Sequence, residues 1–329
     1  MKTAVFSTHR FEKDYLLQAN LQKHELKLLE VQLNNATVAL AEGCKAASIF
    51  VNDDASADVL HELKNQGVEF LALRSAGYNH VDLAVAKKLN IRVARVPDYS
   101  PYAVAEHSVA LMLALNRKLI RAHNRVRELN FTLDGLVGFD MHGKTLGLIG
   151  TGKIGSVIAK IMNGFGCKII ANDLYENKEL IEKYNVKYND CETLCASSDI
   201  ISLHLPLTPH TRHIINKKCI DKMKHGVMLI NTSRGALINT QDVIDGLKSG
   251  RIGYLGIDVY EEEGGLFFED HSEDILQDDI IARLMSFNNV LITSHQAFLT
   301  STALENIALT TMHNLNCFEK NIISENELK

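Results

Sequence analysis

The chain has 329 residues, more than a single hydrophobic core usually organises, so two domains are expected. Its 46% hydrophobic and 23% charged residues are typical of an ordinary globular protein. The net charge of −5 gives no general attraction to nucleic acid or to an anionic membrane. The N-terminal residues lack the apolar segment of a signal peptide, and no run approaches the roughly 18 apolar residues of a membrane span. Neither a nucleic-acid partner nor a membrane location is expected.

The first hundred residues alternate short β-rich runs with segments of helical periodicity. Strands are predicted at 3–8, 47–52, 69–75 and 91–96, with helical segments between them. This alternation favours an open parallel sheet with helices on both faces, which is the α/β class.

A helical pattern begins at Pro101, with Ser100 as its N-cap, and continues for more than twenty residues. A helix of this length is expected to cross from one domain to the other. A second α/β alternation follows, with strands predicted at 145–149, 168–172, 199–203, 227–231, 254–258 and 290–294. The chain ends in an apolar helix that begins near Thr300 or Ser301 and is expected to return to the first domain. The predicted domains are 1–100 with 300–329, and 101–299, with a cleft between them.

Six cysteines are scattered along the chain, at positions 44, 167, 191, 195, 219 and 317. Cys191 and Cys195 are four residues apart, but no second pair and no histidine cluster completes a metal-ligand pattern. Reduced thiols in a cytoplasmic protein are the simpler interpretation, and no metal site is predicted.

The segment "GLIGTGKIG" contains a G-x-G-x-x-G pattern between a predicted strand and a predicted helix, formed by Gly150, Gly152 and Gly155. The first glycine permits the tight turn, the second allows the backbone to approach a pyrophosphate, and the third lets helix and strand pack closely. Asp173 lies 18 residues after Gly155, at the end of the next strand. A carboxylate there binds an adenosine ribose and repels a 2′-phosphate, so NAD is the expected cofactor.

Polar segments follow the other strands of this second sheet, at 202–208, 229–235, 255–263 and 291–298. Open α/β sheets bind ligands at the carboxyl ends of their strands, so these segments should line one crevice. Arg234 is the notable residue, because a guanidinium near a core needs an anionic partner. That partner is either a nearby carboxylate of the protein or the carboxylate of a small substrate.

The same edge is expected to hold a cluster of glutamates and His295. A hydride leaving NADH for a 2-keto acid creates an alkoxide that must take a proton, which a histidine supported by a carboxylate can donate. A guanidinium offers a planar fork to the substrate carboxylate and polarises the adjoining carbonyl. The sequence therefore has a candidate for each requirement of a 2-hydroxy acid dehydrogenase.

Four segments in this order, "GLIGTGKIG", "LINTSRGALI", "GIDVYEEE" and "SHQAFLT", resemble the D-isomer-specific 2-hydroxyacid dehydrogenase family over essentially the full length. Three others, "ALRSAGYNHVD", "VPDYSPYAVAEH" and "LFFEDHSEDILQDD", look closest to its fermentative D-lactate dehydrogenase branch. The resemblance implies a Rossmann NAD-binding domain at 101–299, a flavodoxin-like substrate domain at 1–100 with 300–329, and a homo-oligomer, dimer or tetramer. It also implies reversible hydride transfer from NADH to pyruvate, giving D-lactate.

The resemblance implies roles for individual residues. Arg234 matches the arginine that binds the substrate carboxylate and carbonyl, and His295 matches the proton donor. Glu263 matches the carboxylate paired with that histidine, five residues after Asp258. Many relatives have proline after this glutamate where this chain has Gly264, so Glu262 remains an alternative.

Further positions carry expected binding roles by the same resemblance. The substrate would contact the backbone N–H groups of Ala76 and Gly77 and the aromatic side chains of Tyr99 and Phe298. Besides the glycines and Asp173, the cofactor would contact Lys153, Ile154, Leu205, Pro206, Thr232, Ser233, Arg234 and Asp258. Three polar groups are left out of the catalytic set: Arg74, the Glu106–His107 pair and His204.

Two other functions remain open from the sequence. One is a relative acting on a bulkier 2-keto acid, glyoxylate, hydroxypyruvate or a phosphoglycerate, because a single methylene changes specificity by only about 1–3 kcal/mol. The other is an NAD(H)-sensing scaffold like the corepressors that share this fold. The complete Arg–Glu–His set favours an enzyme.

Overall fold

The computed structural model describes residues 1–328, which form two compact units. The first unit comprises Met1–Ser100 together with the segment from Leu299 onward, and the second comprises Pro101–Phe298. Leu299 therefore belongs to the first unit, whereas the sequence assigned it to the second.

Helices and strands alternate along most of the chain. Up to residue 100 the elements are β1 (Lys2–Val5), α1 (Arg10–Asn20), β2 (Glu25–Leu28), a 3-10 helix (Val38–Ala41), β3 (Ala46–Ile49), α2 (Ala57–Asn65), β4 (Phe70–Leu73), α3 (Leu83–Lys88) and β5 (Arg92–Ala94). The later elements are α4 (Pro101–Asn116), α5 (Leu119–Arg127), β6 (Thr145–Ile149), α6 (Lys153–Gly164), β7 (Lys168–Asn172), α7 (Lys178–Tyr184), β8 (Lys187–Tyr188), α8 (Cys191–Ser197), β9 (Ile200–Leu203), α9 (Lys217–Lys222), β10 (Val227–Asn231), a 3-10 helix (Gly235–Leu237), α10 (Thr240–Lys248), β11 (Ile252–Ile257), α11 (Asp279–Met285), β12 (Val290–Ile292) and α12 (Ser301–Glu319).

In the first unit, the described residues form a parallel sheet of five strands in the order β2-β1-β3-β4-β5. Successive side chains of a strand point to opposite faces, and both faces of the inner strand β4 are covered, so all four of its residues are buried and apolar. In β4, Leu71 and Leu73 join the core that includes α2, while Phe70 and Ala72 join the core that includes α1 and α12. The apolar terminal helix α12 packs on α1 and β4, and Thr300 caps it by accepting from the N–H of Ala303.

The second unit, Pro101–Phe298, contains a parallel sheet in the order β12-β11-β10-β9-β6-β7-β8. Helices α4 and α6 pack against a core on one face, and α8, α9 and α10 against a core on the other. Counted from β6, the strand order is 3-2-1-4-5-6 with one further strand beside the sixth, which is the dinucleotide-binding arrangement. The first sheet has the flavodoxin-like order 2-1-3-4-5. The predicted α/β class with two doubly wound sheets is confirmed.

Two strands were missed, and both lie at sheet edges. The edge strand β2 reads ELKL, with its first residue exposed and the rest half-buried, and β8 has only two residues. Neither produces the apolar run by which the inner strands were recognised, because an edge strand of a sheet is only partly covered. The prediction of a single helix of more than twenty residues from Pro101 was wrong. Helix α4 ends at Asn116, and Lys118 takes a left-handed backbone conformation with φ 49° before α5 begins.

A tertiary contact accompanies this break. The side-chain amide of Asn116 donates to the carbonyl of Phe139 at 2.7 Å, and its oxygen accepts from the Phe139 N–H at 2.8 Å. The helical periodicity continues through this point, so the sequence pattern carries no signal of the interruption. Within the described chain, no helix is long and apolar enough to cross a bilayer.

Arg74 lies at the carboxyl end of β4 and is buried with Glu12 in a two-pronged ion pair. Its Nε is 2.9 Å from Oε2 of Glu12, and its Nη2 is 3.0 Å from Oε1. The guanidinium also donates to the carbonyls of Phe6 and Ser7 and to the hydroxyl of Ser48, so it joins the ends of β1, β3 and β4. Arg74 thus has a structural role in the first unit.

Arg74→Met should lower the free energy of unfolding by about 3–5 kcal/mol, because it leaves the Glu12 charge buried without a partner. Equilibrium urea denaturation measures the change. The control is Lys45→Met, which breaks an exposed pair with Glu69 (side chains 61% and 47% exposed) and should change stability by less than about 1 kcal/mol. Equal losses in the two variants would contradict the structural role of the buried pair.

Candidate active site

The second unit brings its polar segments to one edge of the sheet. All paired strands are parallel, so their carboxyl ends lie on the same side. The segments that follow these ends are the glycine-rich turn after β6, Asp173 after β7, His204 and Leu205 after β9, Thr232–Arg234 after β10, Asp258 after β11 and Thr293–His295 after β12. The candidate residues of this unit therefore share the edge at which doubly wound sheets bind ligands.

The three glycines of the turn each meet a different steric requirement. Gly150 has φ +99°, and a Cβ there would lie 2.3 Å from the carbonyl oxygen of His204. A Cβ at Gly155 would lie 2.1 Å from the carbonyl oxygen of Gly150, so α6 approaches the turn directly. A Cβ at Gly152 would meet open space, and Gly152 is the N-cap of α6. The turn therefore presents bare backbone at a helix N-terminus, which suits a pyrophosphate.

Asp173 closes the same turn. Its Oδ2 accepts from the N–H of Thr151 at 2.6 Å and from the Thr151 hydroxyl at 3.1 Å, and Oδ1 accepts from the N–H of Tyr175 at 3.2 Å. Thr151 and the Tyr188 hydroxyl that donates to it were missed by the sequence analysis, since neither belongs to the glycine pattern. Of the other cofactor-side candidates, Lys153 and Pro206 are exposed, and Ile154 and Leu205 are half-buried.

His204 is a half-buried residue behind the turn, with its ring nitrogen Nδ1 shielded from solvent. Burial lowers the pKa of its imidazole to about 3, so the ring is neutral at physiological pH. Its Nε2 lies 2.7 Å from the Ser202 hydroxyl, while its Nδ1 is buried and makes no hydrogen bond within the described chain. A buried polar atom of this kind fits a site that a polar cofactor completes.

His295 and Glu263 form a hydrogen-bonded pair. The Nδ1 of His295 lies 2.9 Å from Oε1 of Glu263, and the other carboxylate oxygen accepts from the N–H of Tyr260 at 3.2 Å. The side chains are 14% and 27% exposed, so the pair is partly shielded but reachable. Because the contact uses Nδ1, the Nε2 atom is the one that can exchange a proton with a substrate.

The three consecutive glutamates separate into different roles. Glu261 lies 2.5 Å from Nε2 of His213 and accepts from the Thr240 hydroxyl at 3.1 Å. Glu262 is exposed. The carboxylate on His295 is that of Glu263, so the structure chooses between the two residues that the sequence left open.

Asp258 holds the segment that carries His295. It is 0% exposed, and its carboxylate accepts from the Thr293 hydroxyl at 2.5 Å and from the N–H groups of Gln296 and Ala297 at 2.9 and 2.8 Å. The N–H of His295 donates to the Asp258 carbonyl at 2.7 Å. Both oxygens of Asp258 are thus engaged within the protein, so it positions His295 rather than presenting a free carboxylate.

These contacts help to impose a left-handed backbone on His295, with φ 46°. His107 on α4 completes the arrangement, with Nε2 3.1 Å from the Thr293 hydroxyl and 3.5 Å from Oδ1 of Asp258. The sequence analysis left His107 out and missed Thr293. The position of Thr293, directly after β12 and two residues before His295, was the available signal.

Arg234 has no carboxylate partner within the second unit. Its Nη1 donates to the carbonyl of Ser233 at 2.6 Å, and none of the ion pairs among residues 101–298 involves its guanidinium. The backbone beneath it is fixed, because the Asn231 amide donates to the Arg234 carbonyl at 2.8 Å and accepts from the Ser233 N–H at 3.1 Å. The half-buried guanidinium is therefore available to an external anion.

The hydroxyls of the neighbouring Thr232 and Ser233 form hydrogen bonds within the protein. Thr232 lies 2.8 Å from the hydroxyl of Ser108 on α4, and Ser233 donates to the carbonyl of Leu203 at 2.7 Å. These contacts tie the end of β10 to α4 and β9. They fix the backbone that is proposed to lie near the cofactor.

Gly235 connects Arg234 to the glutamate segment. A Cβ at this position would lie 2.1 Å from the Tyr260 carbonyl carbon and 2.4 Å from the Glu261 nitrogen. Gly235→Ala should therefore displace the segment leading to Glu263, costing about 1–3 kcal/mol of stability and lowering turnover. Thermal denaturation and a steady-state assay measure the two effects.

Gly264→Ala is the matched control, because a Cβ at Gly264 would meet nothing within 4 Å. A Gly235→Ala variant with the melting temperature and activity of this control would contradict the close approach.

The first unit places its candidates around the loop after β4. The carbonyl of Ala76 accepts from Arg95 at 2.8 Å, and that of Gly77 from the Ser75 hydroxyl at 2.7 Å. These contacts orient the loop by its carbonyls, while the N–H groups of Ala76 and Gly77 donate no hydrogen bond within the described part of this unit. Tyr99 is half-buried. Phe298 is the last residue of the second unit and is 9% exposed.

The chain is similar to known proteins in sequence and in structure. Residues 109–297 match the model of the D-isomer specific 2-hydroxyacid dehydrogenase NAD binding domain. A D-lactate dehydrogenase of Escherichia coli K12 is 51% identical, with 100% of both chains covered. The solved structure of the pyruvate reductase of Chlamydomonas reinhardtii has a TM-score of 0.93 and 45% identity, covering 99% of this chain and 98% of that one. That of an Aquifex aeolicus D-lactate dehydrogenase complexed with NAD and lactic acid has a TM-score of 0.87 and 33% identity, covering 97% and 96%.

The chain therefore belongs to the D-isomer specific 2-hydroxyacid dehydrogenase family, as its sequence motifs implied. Its relatives include D-lactate dehydrogenases that match it over the full length, and its cofactor is NAD. The glycine-rich turn and the buried Nδ1 of His204 fit that cofactor.

Proposed function

We propose that this chain is an NAD-dependent D-lactate dehydrogenase that reduces pyruvate to D-lactate reversibly. The observation that carries the proposal is the Glu263–His295 pair, at the same sheet edge as an arginine without a carboxylate partner in its unit. The full-length likeness to D-lactate dehydrogenases supports the substrate and the handedness of the product.

The chemistry divides among the chain's own residues. When bound, NADH supplies the hydride that adds to C2 of pyruvate. His295 gives the proton on Nε2 to the resulting alkoxide oxygen, and Glu263 on Nδ1 stabilises the charged ring before this transfer. In lactate oxidation the same Nε2 removes the hydroxyl proton.

Arg234 and the backbone N–H groups of Ala76 and Gly77 are proposed to bind the substrate carboxylate. A desolvated carboxylate needs several donors, and these N–H groups make no bond within their own unit. Tyr99 and Phe298 are proposed to close the pocket around the methyl group. On the cofactor side, Asp173 would bind the adenosine ribose, Gly152 the pyrophosphate and Leu205 the adenine.

A panel of 2-keto acids tests the substrate assignment. We expect NADH oxidation to be fastest with pyruvate and slower with 2-ketobutyrate, hydroxypyruvate, glyoxylate and phenylpyruvate, measured as kcat/KM with the full chain. The D-lactate product is identified by chiral chromatography. A preference for phenylpyruvate would move the assignment to a bulkier substrate, and NADH binding without turnover on any acid would indicate the sensing scaffold instead.

Glu263→Gln should lower kcat for pyruvate reduction, because the ring of His295 loses the carboxylate that orients it and balances its charge when protonated. Steady-state kinetics at one fixed pH measures the loss. Glu262→Gln is the control, since that side chain is exposed, and its kcat should be unchanged. A loss in the control alone would reassign the partner of His295.

We also infer that the protein acts in the cytoplasm as a homo-oligomer. All six cysteines are free thiols, which suits a reducing compartment. Between α5 and β6, the side chains of Leu129, Phe131, Leu133 and Val137 are 69–84% exposed, and association of two copies would cover them. Sedimentation velocity measures the assembly.

A further inference from the structure

A cluster of three thiols lies in the second unit, on the sheet face covered by α8, α9 and α10. Cys191 and Cys195 are four residues apart on α8, so their side chains share one face of that helix. Cys219 comes from α9, which packs against α8. The three sulfur atoms all lie within 4.8 Å of one another, and those of Cys195 and Cys219 are 2.7 Å apart. The sequence indicated only the Cys191–Cys195 pair, because the packing of α9 against α8 is what places the Cys219 thiol beside them.

The spacing of the sulfurs is close to that required by one metal ion. A Zn–S bond is about 2.3 Å, so two sulfurs on one tetrahedral ion are about 3.8 Å apart. Binding would therefore need the Cys195 and Cys219 sulfurs to separate by about 1 Å, and Cys191 to move by no more than a similar amount. Small side-chain rotations supply such shifts. The Cys191–Cys195 spacing also falls within the C-x2–4-C pattern of structural zinc sites.

The chemistry of the cluster selects the cation. Among the described residues, no histidine or carboxylate joins the three sulfurs in the group that could hold an ion. An all-sulfur set favours thiophilic cations such as Zn²⁺, Cd²⁺ and Cu⁺ over Mg²⁺ or Ca²⁺. Three thiolates and one divalent ion leave one net negative charge, and the nearby Lys222 on α9 is already paired with Glu192 on α8. Cys195 is fully buried, while Cys191 and Cys219 are half-buried, so an ion can enter from their side.

We propose that Cys191, Cys195 and Cys219 form a binding site for one thiophilic divalent cation, with Zn²⁺ as the natural occupant and a solvent water as the fourth ligand. A disulfide would use two of the three thiols, and convergence of all three favours the ion. The site joins α8 to α9 and contains none of the residues assigned to substrate or NAD, so it does not depend on the proposed enzyme activity.

Cadmium binding to the full-length reduced protein tests the site. We expect a sulfur-to-cadmium charge-transfer absorption that saturates at one ion per chain, with zinc competing for it, and native mass spectrometry showing the same stoichiometry. Cys191→Ala and Cys219→Ala should weaken cadmium binding by more than roughly 100-fold, beyond the loss that outer-shell substitutions cause. These half-buried positions are chosen because Cys195 lies in the core and its substitution endangers folding; circular dichroism verifies that the variants fold.

Cys317→Ser is the matched control, since it removes a half-buried thiol on α12 outside the cluster. It should retain one tightly bound ion. Cadmium affinity within a factor of two of the unsubstituted protein in the Cys191→Ala/Cys219→Ala double variant would overturn the proposal. The proposal would also be overturned if the reduced protein took up no cadmium and Cys195 and Cys219 formed a disulfide once reductant was removed.

Discussion

Replacing His295 should lower kcat for pyruvate reduction by about 10²–10⁴-fold, the range in which general acid catalysis contributes. The variant loses the group that gives a proton to the alkoxide, while the glycine-rich turn stays intact. NADH affinity, measured by fluorescence titration, should therefore remain nearly unchanged. Steady-state kinetics with pyruvate gives kcat and KM separately, and the loss should appear in kcat.

The choice of substitution matters because the backbone of His295 is left-handed, with φ 46°. Asparagine tolerates this conformation better than alanine, so His295→Asn removes the proton donor with less strain on the segment held by Asp258. His295→Ala and His295→Asn should therefore lose activity alike but differ in stability. His123→Ala, at an exposed position on α5, is the control and should keep full activity. Turnover in His295→Asn within tenfold of the control would refute the assigned role.

The second large effect is expected at Arg234. Arg234→Gln should reduce kcat/KM for pyruvate by roughly 10²–10³-fold, because losing one partner of a desolvated charge pair costs about 2–5 kcal/mol. Arg234→Lys keeps the positive charge but loses the planar fork, so its loss should be smaller than that of the glutamine variant. Saturation kinetics over a wide pyruvate range, together with the inhibition constant of a carboxylate such as oxamate, measures the change.

Arg127→Gln provides the comparison. Arg127 is exposed on α5, and its substitution removes one positive charge from the second unit, as Arg234→Gln does. A loss caused by net charge alone would appear in both variants. If Arg234→Gln bound pyruvate as well as Arg127→Gln does, the carboxylate would have to be held elsewhere.

Much of the second unit was predictable because local sequence determines it. The glycine pattern requires a positive φ at Gly150 and a close approach of helix and turn at Gly155, and the structure has both. Most strands of this sheet have an apolar centre, and β6, β7 and β10 were predicted with the bounds that the structure has. The pairing of His295 with a glutamate followed from the family motif.

Other features depend on long-range contacts and had no local signal. The break at Lys118 is accompanied by bonds between Asn116 and Phe139, 23 residues later. Asp258 accepts from N–H groups 38 and 39 residues away, and these bonds hold the segment that carries His295. The third thiol near Cys191 and Cys195 lies on a different helix. Sequence spacing identifies only pairs that lie close together along the chain, so it could not indicate this residue.

The bond between Asp173 and Thr151 has a consequence for redesign toward a phosphorylated dinucleotide. The carboxylate that would repel a 2′-phosphate is the same group that accepts from the backbone and hydroxyl of Thr151. Exchanging it for a neutral or basic residue would relieve the repulsion and also release the loop that it anchors. A successful change of coenzyme preference in this chain should therefore pair the exchange at Asp173 with a new acceptor for Thr151.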